Sequence, residues 1–230
     1  MRTIIVSANG PSAYSKESHG VINSLDMINS KVFRTNYFFL NDGDPLKYKV
    51  TDWFICEDVS DCRAVRAATR FSLPMNNLTI WMPGIDMKKI TEIDSNHLKG
   101  FNLRLQCLFK NLPIDCRWEQ DLRPERPLMG SLAIAIAVGM NPDTIILTGH
   151  DLFQHPSGTT HAGTDKQTRD WQDGFNKEYL TNTHRNHRLT GDLKYIENAL
   201  KEYKGNVISC GTVLKRYFEF KFPQWTWLEG

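Results

Sequence analysis

Histidines are concentrated in one polar stretch of this sequence. Of seven histidines, five lie between residues 150 and 187: His150, His155, His161, His184 and His187. An imidazole acts as a general base, a general acid or a metal ligand near neutral pH. The stretch 152–190 is long and polar, which is typical of a functional lid over a site. Composition alone also fits a solvated loop, so both interpretations stay open at this point.

A metal centre is one chemistry that these histidines allow. His150, Asp151, His161, His184 and His187 carry the nitrogen and oxygen ligands of a metal-dependent hydrolase or phosphoesterase. The sequence has no H-E-x-x-H motif, and its five cysteines form no C-x-x-C pair. We therefore keep a hydrolase as the second hypothesis and predict no bound metal.

The segment Asn9-Gly10-Pro11-Ser12 follows the first apolar run of the chain. Gly10 lets the backbone approach a ligand closely, and Ser12 can cap a helix or bind a phosphate oxygen. The same residues also make an ordinary turn. They do not form a G-x-G-x-x-G sequence, so the main signal of a dinucleotide site is missing.

The segment Asp42-Gly43-Asp44 resembles the metal-binding D-x-D sequence of many sugar transferases. It lies between Asn41 and Pro45, and residues of these types are typical of turns. We therefore predict a turn here.

Cations and aromatic residues alternate from Lys215 to Phe222, and six of the last fourteen residues are aromatic. This pattern fits a strand packed on a sheet. It equally fits peripheral attachment to an anionic membrane surface.

Alternating apolar segments are expected to position these groups. Strands are predicted at 3–6, 31–36, 52–56, 78–82, 144–148 and 206–210, and helices at 61–71, 93–112, 130–138 and 191–204. Strands that alternate with helices predict an α/β fold with a Rossmann-like, mostly parallel sheet flanked by helices. Ligands of such sheets bind beyond the carboxyl ends of the strands. We therefore expect a site near Asn9, Asn36, Gly149 and Asp151.

The length, charge and cysteine pattern of the chain limit its number of domains, its partners and its location. The chain has 230 residues and a formal charge of +2, so we expect one domain spanning 1–230 and no nucleic-acid partner. Scattered cysteines predict reduced thiols and a cytoplasmic protein. The apolar run at 3–6 is too short for a signal peptide, and the longest run, Leu132–Val138, is too short to span a bilayer.

The ordered motifs together resemble a known family, the bacterial CMP-sialic acid-dependent sialyltransferases of lipooligosaccharide synthesis, glycosyltransferase family 42. The matching segments, in the family's order, are Asn9-Gly10-Pro11-Ser12, 32–36 (VFRTN), 133–139 (AIAIAVG), 148–154 (TGHDLFQ), and His187 followed by Asp192. The likeness covers most of the chain, but the region from Asp42 to Pro127 matches poorly.

This resemblance implies an inverting, metal-independent transfer of sialic acid from CMP to a glycan hydroxyl, with no cofactor. It implies a nucleotide-sugar site in which Asn9 and Asn36 contact the phosphate and ribose, and Gly149 and Asp151 hold the nucleotide. It further implies that His187 is the general base, that Ser131 lies near the pyrimidine and that Arg126 faces the acceptor. The same likeness implies a homo-oligomer, whereas membrane contact through the C-terminus is expected from the cations and aromatic residues there.

One departure from the family concerns its two lid tyrosines, which hydrogen-bond the leaving phosphate. The matching positions hold Phe153 and His161. Phenylalanine cannot donate a hydrogen bond, whereas His161 and the hydroxyls of Thr159 and Thr160 can. Three hypotheses follow: a sialyltransferase with a rebuilt phosphate clamp, a transferase of another CMP-activated acid sugar such as Kdo, or a weak or inactive relative.

Overall fold

The strands form one parallel sheet. The computed structural model describes residues 2–36, 38, 46–47, 49–55, 78–82, 104–107, 127–154, 177–184, 187–201 and 203–229. The strands in this part of the chain are β1 Thr3–Ser7, β2 Ser30–Thr35, β3 Asp52–Phe54, β4 Thr79–Met82, β5 Arg104–Cys107, β6 Thr144–Thr148, β7 Asn206–Cys210 and β8 Thr226–Leu228. Their order is β5-β4-β3-β2-β1-β6-β7-β8, and all neighbours pair in parallel. The predicted Rossmann-like α/β class is confirmed.

Helices cover both faces of this sheet. They are α1 Lys16–Asn23, α2 Met129–Gly139, α3 Leu189–Lys201 and α4 Thr212–Phe218, with short 3-10 turns at Pro11–Tyr14 and Met27–Asn29. Successive strand residues point to opposite faces. Accordingly, Ile4 and Val6 pack into the large core with α2, α3 and α4, whereas Ile5 packs with Ile22 of α1 on the other face.

Helix α2 lies between the sheet and α3, and it has no polar face. Every side chain from Ser131 to Val138 is buried. A helix without a polar face is stable only when it is enclosed in this way. Its first turn has no side-chain cap from its own segment, so the buried groups there need partners from elsewhere in the fold.

The predicted helix at 93–112 is wrong in part, because Arg104–Cys107 forms β5. The letters Arg-Leu-Gln-Cys alternate polar and apolar residues, which is the period of a strand, and the segment pairs in parallel with β4. The predicted helix at 61–71 and the predicted turn at Asp42-Gly43-Asp44 lie outside the described residues.

The C-terminal segment from Lys215 to Phe222 is not a strand, which was one of the two interpretations that its pattern allowed. Thr212–Phe218 is helix α4, which buries Val213, Leu214 and Phe218. That spacing is helical, so the alternation of cations and aromatics hides a period of 3.6 residues. Phe220, in contrast, is 89% exposed. No helix among the described residues is long and apolar enough to cross a membrane.

Candidate functional site

A pocket lies at the carboxyl ends of β1, β2 and β6, where the chain order in the sheet reverses. In this sheet β1 lies between β2 and β6, and the chain continues from β1 to β2 on one side and from β6 to β7 on the other. Such switch points are the usual ligand sites of open parallel sheets. The pocket holds about 570 Å³ including space open to solvent, and it is lined by Ala8, Asn9, Gly10, Thr35, Asn36, Leu128, Met129, Gly130, Ser131, Gly149, His150, Asp151, Leu152 and Phe153.

Two glycines let the loops after β1 and β6 meet. The Gly10 N–H donates to the Gly149 carbonyl at 3.0 Å. A Cβ on Gly10 would lie 2.4 Å from Oδ2 of Asp151, and one on Gly149 would lie 2.4 Å from the Ala8 carbonyl oxygen. Gly149 also has a φ of +69°, a conformation that favours glycine. Side chains at these two positions would therefore push the pocket walls apart.

Asp151 fastens the loop after β1. Its Oδ2 accepts a hydrogen bond from the Ser12 N–H at 2.8 Å, and its side chain is buried at the pocket wall. Ser12 itself does not line the pocket; its Oγ is buried and has no hydrogen-bond partner among the described residues. Ser12 thus contacts Asp151 through its main-chain N–H, and this bond holds the loop after β1 in place.

The two asparagines lie on facing strand ends. The Asn9 side chain donates from Nδ2 to the Thr35 carbonyl at 3.0 Å, and its Oδ1 has no hydrogen-bond partner in the described part of the chain. Asn36 has a φ of +45°, which asparagine tolerates better than most residues. Both residues line the pocket, so they offer amide groups to a ligand there.

His150 is a neutral imidazole in the pocket wall. Its Nε2 lies 3.1 Å from the Val6 carbonyl oxygen, which can only accept, so Nε2 carries the proton. The pKa of His150 is lowered to about 4, chiefly by burial; the bond to Val6 opposes this shift, and the charge of Arg34 adds to it. The ring fills the space that a side chain on Gly130 would need, since its Nδ1 lies 3.2 Å from the position of that Cβ.

Arg34 places a buried cation beneath the pocket. Its guanidinium donates to the Ser7 carbonyl at 3.2 Å and to the Ser7 hydroxyl, and it lies over the ring of Phe38 at 5.3 Å. A fully buried cation attracts anions more strongly than a solvated one, because the surrounding dielectric is low. Arg34 therefore adds a positive charge close to the strand ends, where the buried Asp151 carboxylate lines the pocket.

Helix α3 contributes a buried acid behind the same pocket. Oδ1 of Asp192 accepts hydrogen bonds from the Leu128 N–H at 2.8 Å and from the Ser131 hydroxyl at 2.5 Å. Burial raises the pKa of Asp192 to about 6, although these two hydrogen bonds act in the opposite direction. Burial also raises the pKa of Tyr179, and the nearby charge of Asp192 raises it further.

His187 stands at the entry to α3, next to a second histidine. Its N–H donates to Nδ1 of His184 at 3.1 Å, and the two rings stack with centroids 5.5 Å apart and planes at 19°. His187 is half-buried and is not one of the pocket-lining residues. Its link to the pocket runs through the α3 segment that it precedes.

The structure brings most of the predicted site residues together. Seven of them line the pocket: Asn9, Gly10, Asn36, Ser131, Gly149, Asp151 and Phe153. Ser12 lies behind the pocket wall, His187 does not line the pocket, and Arg126, Thr160 and His161 lie outside the described residues. Residues 155–176 of the predicted lid also lie outside them.

Sequence reasoning overlooked the roles of His150 and Asp192 at this pocket. The signal for Asp192 was present in the sequence, because it shares the buried face of α3 with Ile196, Ala199 and Leu200. An acid on the apolar face of an amphipathic helix requires buried hydrogen-bond donors. Among the described residues, no three acidic, histidine or cysteine side chains are grouped as ligands of one metal ion.

Similarity to known proteins was found at the level of structure. No protein-family model matches the chain, and no curated protein matches it by sequence. The sialyltransferase CstII from Campylobacter jejuni, solved with cytidine-5'-monophosphate, is similar with a TM-score of 0.53 and 15% identity, over 94% of this chain and 84% of that one. The monofunctional α-2,3-sialyltransferase Cst-I from the same organism is similar with a TM-score of 0.55 and 16% identity, over 95% of this chain and 79% of that one. At such identities, the likeness establishes a shared fold.

Proposed function

We propose that this protein is a glycosyltransferase that moves sialic acid from CMP-sialic acid to a sugar hydroxyl of a glycan. One observation carries the proposal: seven residues predicted for the nucleotide-sugar site, spread from Asn9 to Phe153 in the sequence, line one pocket. That pocket lies at the switch point of a sheet, where nucleotides are bound in this class of fold. Structures with CMP or a CMP-sugar analogue are among those that share the fold.

In the proposed reaction the acceptor oxygen attacks the anomeric carbon of the donor sugar from the side opposite CMP. The new carbon–oxygen bond forms as the bond to the phosphate oxygen breaks, and CMP leaves with that electron pair. His187 takes the proton of the acceptor hydroxyl, a role that a positioned imidazole performs near neutral pH. The side chains of Asn9 and Asn36 contact the phosphate and ribose region of the nucleotide, where Oδ1 of Asn9 can accept from a ribose hydroxyl. The buried charge of Arg34 favours the negative charge of the leaving CMP.

Several parts of the prediction remain proposals of the same kind. The donor sugar could be another CMP-activated acid sugar such as Kdo. We further propose a metal-independent reaction, Arg126 at the acceptor, Thr160 and His161 at the phosphate, and a homo-oligomer. Peripheral contact with a membrane through α4 also stays a proposal; Lys215 and Lys221 pair there with Glu229 and Glu197. A metal-dependent hydrolase that uses the histidines between 150 and 187 is the alternative proposal; among the described residues, no three acidic, histidine or cysteine side chains are grouped as ligands of one metal ion.

A thermal-shift panel of CMP, CDP, UDP and GDP sugars, each with and without EDTA, tests the nucleotide assignment. A ligand at 100 times its Kd stabilises a protein by about 2.7 kcal/mol. For a chain of this length that corresponds to a rise in Tm of roughly 5–10 °C. We expect this rise with CMP and CMP-sialic acid, unchanged by EDTA. Stabilisation by a UDP sugar alone would overturn the proposal.

The variant His187→Ala tests the base. We expect transfer to fall by about 10²–10⁴-fold, the usual contribution of a general base, while the Tm rise with CMP stays. His19→Ala, which removes a histidine from α1 on the far side of the sheet, is the matched control and should transfer at the wild-type rate. Full transfer activity in His187→Ala would remove this residue from the role.

A further inference from the structure

A buried polar cluster joins α3 to the wall of the pocket. At its centre is Asp192, which is 1% exposed and uses one carboxylate oxygen to accept both the Leu128 N–H and the Ser131 hydroxyl. Leu128 and Ser131 belong to the start of α2 and line the pocket. The first turn of α3 is therefore fixed to the ligand site by a side chain and not by packing alone.

The same cluster reaches a second part of the pocket wall. Tyr179, which is fully buried, lies close enough to Asp192 for the carboxylate charge to raise the pKa of its hydroxyl. The ring of Tyr179 packs edge-on against Phe153, with centroids 5.2 Å apart. Phe153 lines the pocket beside Leu152. Asp192 thus lies between α2, the helical residues 177–180 and the segment that carries His187.

We propose that Asp192 is a positioning residue for the transfer reaction, which holds the His187 segment at a fixed place relative to the start of α2. The proposal rests on the proposed function, because it assigns Asp192 a role through His187. Only one residue separates His187 from the start of α3 at Leu189, and Asp192 follows three residues later. Movement of the first turn of α3 is therefore passed on to the imidazole.

The two donors, the Leu128 N–H and the Ser131 hydroxyl, require an acceptor oxygen at position 192. Removal of the carboxylate would leave the Leu128 N–H and the Ser131 hydroxyl buried without their acceptor, which is costly in the interior. Either the two groups would find water or the first turns of α2 and α3 would separate. An asparagine keeps one carbonyl oxygen of the same reach, so Asp192→Asn preserves both hydrogen bonds.

Three variants test the proposal: Asp192→Ala, Asp192→Asn and, as a matched control on the exposed face of α3, Glu197→Ala. Each is assayed for kcat of sialic acid transfer, KM for the donor and Kd for CMP, with kcat expressed per CMP-binding site.

For Asp192→Ala we expect kcat to fall by tenfold or more, since displacement of a catalytic group by about 1 Å can cost about 100-fold in rate. Its Kd for CMP should change less than kcat does, because the hydrogen bonds that join Asn9, Gly10 and Asp151 to Thr35, Gly149 and Ser12 do not include Asp192. For Asp192→Asn we expect a kcat within threefold of the wild-type value. For Glu197→Ala we expect the wild-type kcat.

A merely structural role would lower the number of CMP-binding sites and leave kcat per site unchanged; that result overturns the proposal. If Asp192→Ala does not fold, Asp192→Glu replaces it. The longer side chain displaces the carboxylate, so kcat per site should fall while CMP still binds, and an unchanged kcat would overturn the proposal. The proposed function fails separately, if the wild-type protein binds CMP but transfers no sugar from any CMP-activated donor.

Discussion

Two buried groups at the pocket should give the stability of this protein opposite dependences on pH. The pKa of Asp192 rises from its ordinary value of 3.8 to about 6, and that of His150 falls from 6.5 to about 4. Each tenfold change in proton affinity is worth about 1.4 kcal/mol, so each group contributes about 3 kcal/mol. Asp192 stabilises the fold below pH 3.8, and this contribution is lost as pH rises through 6. His150 stabilises it above pH 6.5, and this contribution is lost as pH falls to 4.

In the wild-type protein these two contributions nearly cancel, so single variants are needed to separate them. Asp192→Asn keeps the hydrogen-bond acceptor without the ionisation, and His150→Gln keeps a donor for the Val6 carbonyl. The free energy of unfolding in urea, variant minus wild type, removes every other titrating group from the comparison. Between pH 4 and pH 7 this difference should rise by about 3 kcal/mol for Asp192→Asn and fall by about 3 kcal/mol for His150→Gln.

The signs of the two slopes carry the test. The reasoning that burial shifts the pKa values of Asp192 and His150 would be refuted by two results. One is a difference in unfolding free energy that stays constant with pH within about 1 kcal/mol; the other is a change in the same direction for both variants. For the double variant, the difference in unfolding free energy from the wild type should change little with pH. A strong slope in the double variant would mean that other residues account for the effect.

Two further predictions concern the pocket walls. Gly10→Ala places a Cβ 2.4 Å from Asp151 Oδ2 and 2.6 Å from the Gly149 carbonyl oxygen, so it should cost about 1–3 kcal/mol of unfolding free energy and abolish the Tm rise with CMP. Its control, Gly20→Ala in α1, meets nothing within 4 Å and should stabilise the protein by about 0.5–1 kcal/mol; equal urea curves for the two variants would contradict the close approach. Phe153→Tyr adds a hydroxyl at the pocket wall beside the proposed leaving phosphate. A hydrogen bond to a charged group is worth about 1.5–3 kcal/mol, so kcat for transfer should rise by roughly tenfold or more, whereas an unchanged kcat would place the phosphate elsewhere.

The sheet was largely predictable, because buried parallel strands are short β-branched runs bounded by turn residues. Thr144–Thr148 and Asn206–Cys210 were predicted with the bounds that the structure has. The errors fell where the two periods are hard to separate in short segments. Arg104–Cys107 alternates only over four residues, and Thr212–Phe218 interleaves charges with apolar residues so that a helix resembles a strand.

The site was predictable at the strand ends and less so elsewhere. Topology alone brings Asn9 and Gly149 to one edge, since strands that run parallel end on the same side of the sheet. The long-range contacts of buried polar groups could not be predicted in this way. Asp192 bonds Ser131 across 61 positions of sequence, and His150 bonds Val6 across 144, and neither separation has a local signature.

The pocket and the proposed base come from different parts of this chain. The pocket is formed by main-chain contacts between the loops after β1 and β6, which depend on Gly10 and Gly149 and on the bond from Ser12 to Asp151. The proposed base comes from the segment before α3, which the described residues join to the pocket through the Asp192 hydrogen bonds. A change at His187 should therefore alter the rate of transfer and leave nucleotide affinity nearly intact, whereas a change at the two glycines should abolish both. Because the two parts meet at Asp192, this residue is where a small displacement would uncouple a bound donor from its base.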